Sequence, residues 1–242
     1  MTHDVPLLLG RASDAMDARL CPPEAAGVLL FGTGSPLLAD VEESLFRAGI
    51  PVAAGIRNRA GKCYLPDPSS GWRTDEITPD MMSLPFLIPL FTPGFRQIAA
   101  REAASLGLTR PFRLIDPSVA APRRLELGVG CYVNAGCCLG SGGVFGAYVL
   151  VNRGASIGHH ARLDAFVSIG PGAVIAGEVT IGRGAVIGAG ATVLPGVTIG
   201  ANAVVAAGSV VTCDIPAGCL VKGGAARIAR ENIGGYQGII VA

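Results

Sequence analysis

Two histidines stand side by side at His159 and His160, and apart from His3 near the start they are the chain's only imidazoles. Imidazole is the side chain suited to take a proton from an amine or hydroxyl and return it near pH 7. The pair holds the third and fourth places of Ile157-Gly158-His159-His160-Ala161-Arg162, places that point away from the aliphatic side. Taken alone, it reads equally as a solvated pair on a turn. Another candidate is Gly32-Thr33-Gly34-Ser35, a fragment of a dinucleotide fingerprint that lacks its third glycine. The helix N-terminus that follows can bind phosphate, although a tight strand-to-helix turn needs glycine whatever its function.

What positions the histidines is a six-residue repeat. Every sixth residue from Ile115 to Val211 is Ile, Leu, Val or Phe, with Ala121 the one exception. Gly, Asp or Asn often comes next, and a small residue or Val follows four places on. Six matches neither a helical period nor free hairpins; it fits very short strands separated by turns, stacked into a β-solenoid with a column of Ile and Val inside. From Leu127 to Val221 the only charged side chains are Arg153, Arg162, Asp164, Glu178, Arg183 and Asp214. Faces so poor in charge ask for cover, which points to an oligomer.

Ahead of the solenoid, Gly27–Phe31 reads as a buried strand. Pro36–Ala48 reads as a helix with Ser35 capping and Gly49 behind it, and Ile50–Ile56 as a second strand, giving βαβ. Residues 57–83 show no periodicity. Pro85–Phe91 is expected as a strand, 94–107 as a helix burying Phe95, Ile98, Ala99 and Leu106, and Phe112–Ile115 as a last strand. Arg11–Leu20 suggests a short helix within a loosely ordered arm. The organisation expected is an arm (1–26), a small α/β domain (27–114), the solenoid (115–221) and a tail (222–242).

A formal net charge of +1 without a basic stripe argues against nucleic acid as partner. Cys21, Cys63, Cys131, Cys137, Cys138, Cys213 and Cys219 are odd in number and lack CxxC spacing, so they read as compact hydrophobes in a reduced setting. The only early apolar run, Leu7–Leu9, is too short for a signal or a membrane span. A soluble, cytoplasmic protein is expected, with no membrane partner.

The hexads, such as Ile181-Gly-Arg-Gly-Ala-Val186 and Ile187-Gly-Ala-Gly-Ala-Thr192, resemble those of the hexapeptide-repeat acyltransferases. The α/β unit in front narrows the resemblance to sialic acid O-acetyltransferases and N-acetyltransferases of nucleotide-linked amino sugars. Asp116-Pro-Ser-Val119 is similar to that subfamily's entry step, Arg96 to an Arg near the start of its last helix, and Gly208-Ser-Val-Val-Thr-Cys-Asp-Ile-Pro216 and Gly223-Gly-Ala-Ala-Arg227 to its exit. The fold implied is mainly β, a left-handed parallel β-helix of three hexads per turn behind a small Rossmann-like α/β domain. The reaction implied is acetyl transfer from acetyl-CoA to an amine or hydroxyl of a sugar or nucleotide sugar, without a metal, in a homotrimer whose sites lie between solenoids.

Residue by residue, the resemblance makes His159 the base. Gly177, one coil on, would hold the oxyanion with its amide. Acetyl-CoA is expected along Gly177, Gly188, Ala189, Ala206 and Ala207, with its adenine end near Lys222 and Arg227. Acceptor contacts fall on Gly32, Gly34, Ser35, Arg57, Asn58, His160 and Ser168. The chain also departs from the pattern. His160 stands where relatives carry a carboxylate, so nothing adjacent in sequence is expected to fix the tautomer of His159. Ser168 replaces a second His, Pro36 the His of the first turn, and Arg57-Asn58 an acidic pair. A γ-type carbonic anhydrase would need three separated histidines on the solenoid. A non-catalytic assembly module is the alternative.

Overall fold

The computed structural model describes residues 27–242, so Arg11–Leu20, His3 and Cys21 lie outside the described residues. Strand β1 (Val28–Phe31) enters helix α1 (Leu37–Arg47), and β2 (Val52–Arg57) returns parallel to β1. Ser35, one residue ahead of the helix cap at Pro36, accepts the Leu37 N–H at 3.2 Å, and Gly49 ends the helix with φ 69°. The stretch without periodicity supplies β3 (Trp72–Arg73), paired to β2, and a short helix α2 (Pro79–Met82). With β4 (Phe86–Leu87), the sheet runs in the order β3-β2-β1-β4.

Helix α3 (Pro93–Ser105) corrects the expected packing face. Phe95 and Ile98 are 37% and 39% exposed, whereas Gly94, Arg96, Gln97, Ala99, Ala100 and Ala103 are buried. Apolar spacing missed the face because its centre is an arginine. The Arg96 guanidinium donates to the carbonyls of Leu90, Phe91, Tyr148, Phe166 and Val167 and to Ser168 Oγ, at 2.6 to 3.1 Å. Burial pushes its pKa down to about 9, which leaves it a cation at neutral pH.

From Leu114–Ile115 onward the chain coils with a period of eighteen residues, three hexads per turn: Leu150 pairs with Ser168, Ser168 with Val186 and Val186 with Val204. The result is a left-handed parallel β-helix with three faces. Face one carries the strands Tyr132–Val133, Leu150–Val151, Ser168–Ile169, Val186–Ile187 and Val204–Val205; face two carries Ser156–Ile157, Val174–Ile175 and Thr192–Val193; face three carries Arg162–Leu163, Thr180–Ile181 and Thr198–Ile199. Each hexad's aliphatic residue points inward and is nearly sealed from Leu139 to Val211.

The α/β unit covers face one. The outward residues Leu114, Tyr132 and Leu150 are buried against Leu37, Leu38, Val41 and Leu45 of α1. Asp116 accepts from Ser44 Oγ (2.7 Å) and from the Ser118 amide (2.9 Å), and Arg153 pairs with Asp40 of α1. Tyr148 and Phe166, one coil apart, stack at 5.1 Å beneath α3. Face two is left with Cys138, Ser156, Val174, Thr192 and Val210 outward, none of them charged. Beyond Leu220–Lys222 the chain folds back as Arg227–Arg230, and its last residues reach α3, where Gln97 bonds the Ala242 backbone. Among the described residues no helix is long and apolar enough to cross a membrane.

Candidate active site

His159 and His160 lie on the corner between faces two and three, both exposed. The His159 ring is laid against the next coil at Gly177: a Cβ added there would sit 2.6 Å from His159 Cε1 and 2.7 Å from Nε2. The backbone of Gly177 is not left-handed, so the corner itself does not call for glycine; the imidazole above it does. On either side, Ala176 N–H donates to Val193 O and Glu178 N–H to His159 O, while the Gly177 N–H has no such partner among the described residues. A base with an unengaged amide beside it is the arrangement needed to remove a proton and hold an oxyanion.

His160 Nδ1 lies 3.1 Å from His159 Nδ1, so the neighbour in sequence contacts the His159 ring. Ser168 is turned into the protein. It is fully buried, donating to Phe91 O at 2.6 Å and accepting from Arg96 at 2.9 Å, and it locks α3 to face one.

The other expected contacts divide between places. Gly188, Ala189, Ala206 and Ala207 stack on the corner between faces one and two, where Gly154, Gly172, Gly190 and Gly208 leave open space. This corner is a whole face away from Gly177 on the same solenoid. Lys222 and Arg227 face each other across the terminal hairpin. Gly34 and Ser35 line a cleft of about 590 Å³ at the start of α1, whose walls include Phe91, Phe95, Asn152, Arg153, Tyr236 and Gln237. Gly32 lies behind the cleft lining, against Leu90 and Asn58. Arg57 donates to Pro68 O and Asn58 to Glu102, both turned to the protein itself.

Sequence reasoning did not single out Arg153, Tyr236 and Gln237 as lining this cleft. Arg153 carried a signal as one of the few charges in the solenoid; the two tail residues carried none. Among the described residues no cluster of His, Cys, Asp and Glu is arranged to hold a metal ion.

Known proteins share this architecture. The bacterial transferase hexapeptide (six repeats) family matches residues 160–194 and 178–213. A perosamine N-acetyltransferase from Caulobacter crescentus, solved with CoA and GDP-perosamine, is 31% identical with a TM-score of 0.76 over 85% of this chain and 97% of that one. The acetyltransferase domain of PglB from Neisseria gonorrhoeae, solved with acetyl coenzyme A, is 27% identical with a TM-score of 0.75, covering 84% of this chain and 98% of that one. WeeI from Acinetobacter baumannii, at 21% identity and a TM-score of 0.69 over 83% of this chain and 98% of that one, shares the fold. No curated protein sequence gives a significant match. The chain belongs to the hexapeptide-repeat acyltransferases, in the subfamily of N-acetyltransferases of nucleotide-linked amino sugars. It is an acetyltransferase.

Proposed function

We propose that the protein moves acetyl from acetyl-CoA to the amine of a nucleotide-linked amino sugar, with His159 as base. The observation that carries this is the His159 ring laid against Gly177. The acceptor nitrogen attacks the thioester carbonyl while His159 takes its proton. The tetrahedral oxyanion rests on the Gly177 N–H, the C–S bond breaks, and the proton passes to the departing sulfur, giving the amide and free CoA. The relatives solved with CoA, acetyl coenzyme A and GDP-perosamine support this choice of substrates.

The working unit is a homotrimer. The cleft at α1 and the open glycine corner lie between faces one and two, and His159 lies between faces two and three. A second copy packed on uncharged face two would bring its His159 to the first copy's cleft. Acetyl-CoA would then run along Gly188, Ala189, Ala206 and Ala207 of one copy and Gly177 of the other, with its adenine end at Lys222 and Arg227. The sugar nucleotide would take the cleft beside Gly34 and Ser35. With Pro36 in that cleft's wall where the first turn would otherwise offer an imidazole and a backbone N–H, a uridine-linked amino sugar is not the preferred acceptor. The test is His159→Ala, which loses at least about 100-fold in kcat with acetyl-CoA binding retained. Full activity in that variant, across a panel of uridine- and guanosine-linked amino sugars, would overturn the assignment.

A further inference from the structure

In every hexad from Gly130 to Gly208 the fourth place has a left-handed backbone, with φ between 56° and 79°. Glycine adopts this freely and other residues do so under strain, which persists where a side chain is needed. Five hexads depart from glycine, with Tyr148, His160, Phe166, Glu178 and Asn202. Tyr148 and Phe166 support α3, and Asn202 holds the tail through both backbone groups of Val241. That leaves His160 and Glu178, and both lie on the corner that carries His159.

The His160 ring leans back over the preceding coil, where a Cβ on Gly142 would sit 2.8 Å from its Cδ2, as the His159 ring leans forward over Gly177. The rings meet at their Nδ1 atoms, 3.1 Å apart, at 77° to each other. Two glycines thus make room for one contact between two imidazoles. Nitrogens that close need one proton between them, because two donors or two lone pairs would repel. The charged residues of this corner near the pair are Glu178, one coil beyond His160, Arg162, two residues on, and Arg124, whose carbonyl accepts the Gly142 N–H. None of these side chains bonds an imidazole among the described residues.

We propose that His160 is a positioning residue whose Nδ1 accepts the Nδ1–H of His159, fixing the tautomer that leaves the His159 Nε2 lone pair over Gly177. This rests on His159 acting as base in acetyl transfer. The neutral imidazole does the work of a carboxylate: it orients the ring, and its hydrogen bond strengthens as His159 becomes imidazolium. The left-handed backbone is what turns His160 back toward its neighbour.

Long-range proton–nitrogen NMR of the labelled full chain at alkaline pH reads the tautomer directly, with the His159 signals assigned by their loss in His159→Ala. His159 should carry its proton on Nδ1 in the wild type and lose that preference in His160→Gly, a deletion that relieves backbone strain and so leaves the fold sound. The same variant should lower kcat about 10-fold with KM for acetyl-CoA unchanged. His160→Asn and His160→Asp, which tolerate the left-handed backbone and offer an oxygen acceptor, should recover most of the loss. A wild-type proton on Nε2 of His159, or His160→Gly keeping both the Nδ1 proton and full kcat, would overturn the proposal. An Nδ1 proton in a protein that acetylates no acceptor would leave the pair standing and refute the function.

Discussion

Gly177→Ala separates the site from the fold. The new Cβ would lie 2.6 Å from His159 Cε1, about 0.8 Å short of ordinary contact, so the imidazole has to move by nearly that much. A displacement of about 1 Å at a reacting group costs on the order of 100-fold in rate, or about 2.7 kcal/mol of barrier. Stability should hardly change, within about 0.5 kcal/mol, because the backbone at 177 is not left-handed and the group displaced is an exposed ring whose one side-chain contact, with His160, is itself exposed. Gly158→Ala is the control. Its Cβ would lie 2.5 Å from Gly177 N and Ala176 C, backbone of the next coil that cannot yield without disturbing the ladder, and overpacking of that kind costs about 1–3 kcal/mol. Release of the CoA thiol measures the rate and thermal unfolding the stability. In a His159→Ala background Gly177→Ala should add no further rate loss. Wild-type turnover in Gly177→Ala, or a fall in melting temperature as large as that of Gly158→Ala, would refute the reasoning.

Replacing Arg96 by Met removes six hydrogen bonds on a buried face and strands the carbonyls of Leu90, Tyr148 and Phe166; Phe91 O keeps Ser168 Oγ and Val167 O keeps the Leu150 N–H. Urea unfolding should register a loss of about 3–5 kcal/mol, and Lys should not restore it, because an ammonium does not span the same fork. Val174→Asp places a charge in the middle of face two, where Val174 is 44% exposed; sedimentation equilibrium should then find monomer, with activity lost alongside. Burial raises the Asp116 carboxyl, but hydrogen bonds from Ser118 and Ser44 and the charge of Arg47 outweigh it and hold the pKa below its usual value. The stability this adds is fully present above the unfolded value near pH 4 and is lost as pH falls through the lower folded value. Unfolding of Asp116→Asn should therefore show a shallower acid limb than the wild type.

The solenoid was legible because its period appears in nearly every hexad, and a one-residue slip would turn the aliphatic column outward. The covered face leaves a mark at a longer period, which the six-residue reading did not use and which sets it apart from face three but not from uncharged face two. The outward residue reads Leu114, Tyr132, Leu150, Ser168, Val186 and Val204 at eighteen-residue steps, against Glu126, Val144, Arg162, Thr180 and Thr198 on face three. The aromatic pair Tyr148 and Phe166 follows the same step at a place that otherwise favours glycine. The α3 face was not legible, because burying Arg96 depends on carbonyls fifty and more residues away, which no local pattern reports. The internal partners of Arg57 and Asn58, the loop at Pro68 and Glu102 on α3, were not legible for a similar reason.

The three corners of the helix divide the work. The corner between faces three and one carries Tyr148, Phe166 and Asn202 and fastens the α/β unit and the tail; at the corner between one and two every left-handed place is glycine; the third carries His159 over Gly177. Substitutions at the first should therefore act on stability and substitutions at the third on rate. Those at the second should act on acetyl-CoA binding, since a Cβ added at Gly172 or Gly190 has no atom beyond its chain neighbours within 4 Å. Both glycines are left-handed, so Asn is the substitution that adds bulk with least strain. Gly190→Asn should raise KM for acetyl-CoA with melting temperature nearly unchanged. An unchanged KM in that variant would place the pantetheine arm away from this corner and remove the reason for pairing it with a neighbour's His159.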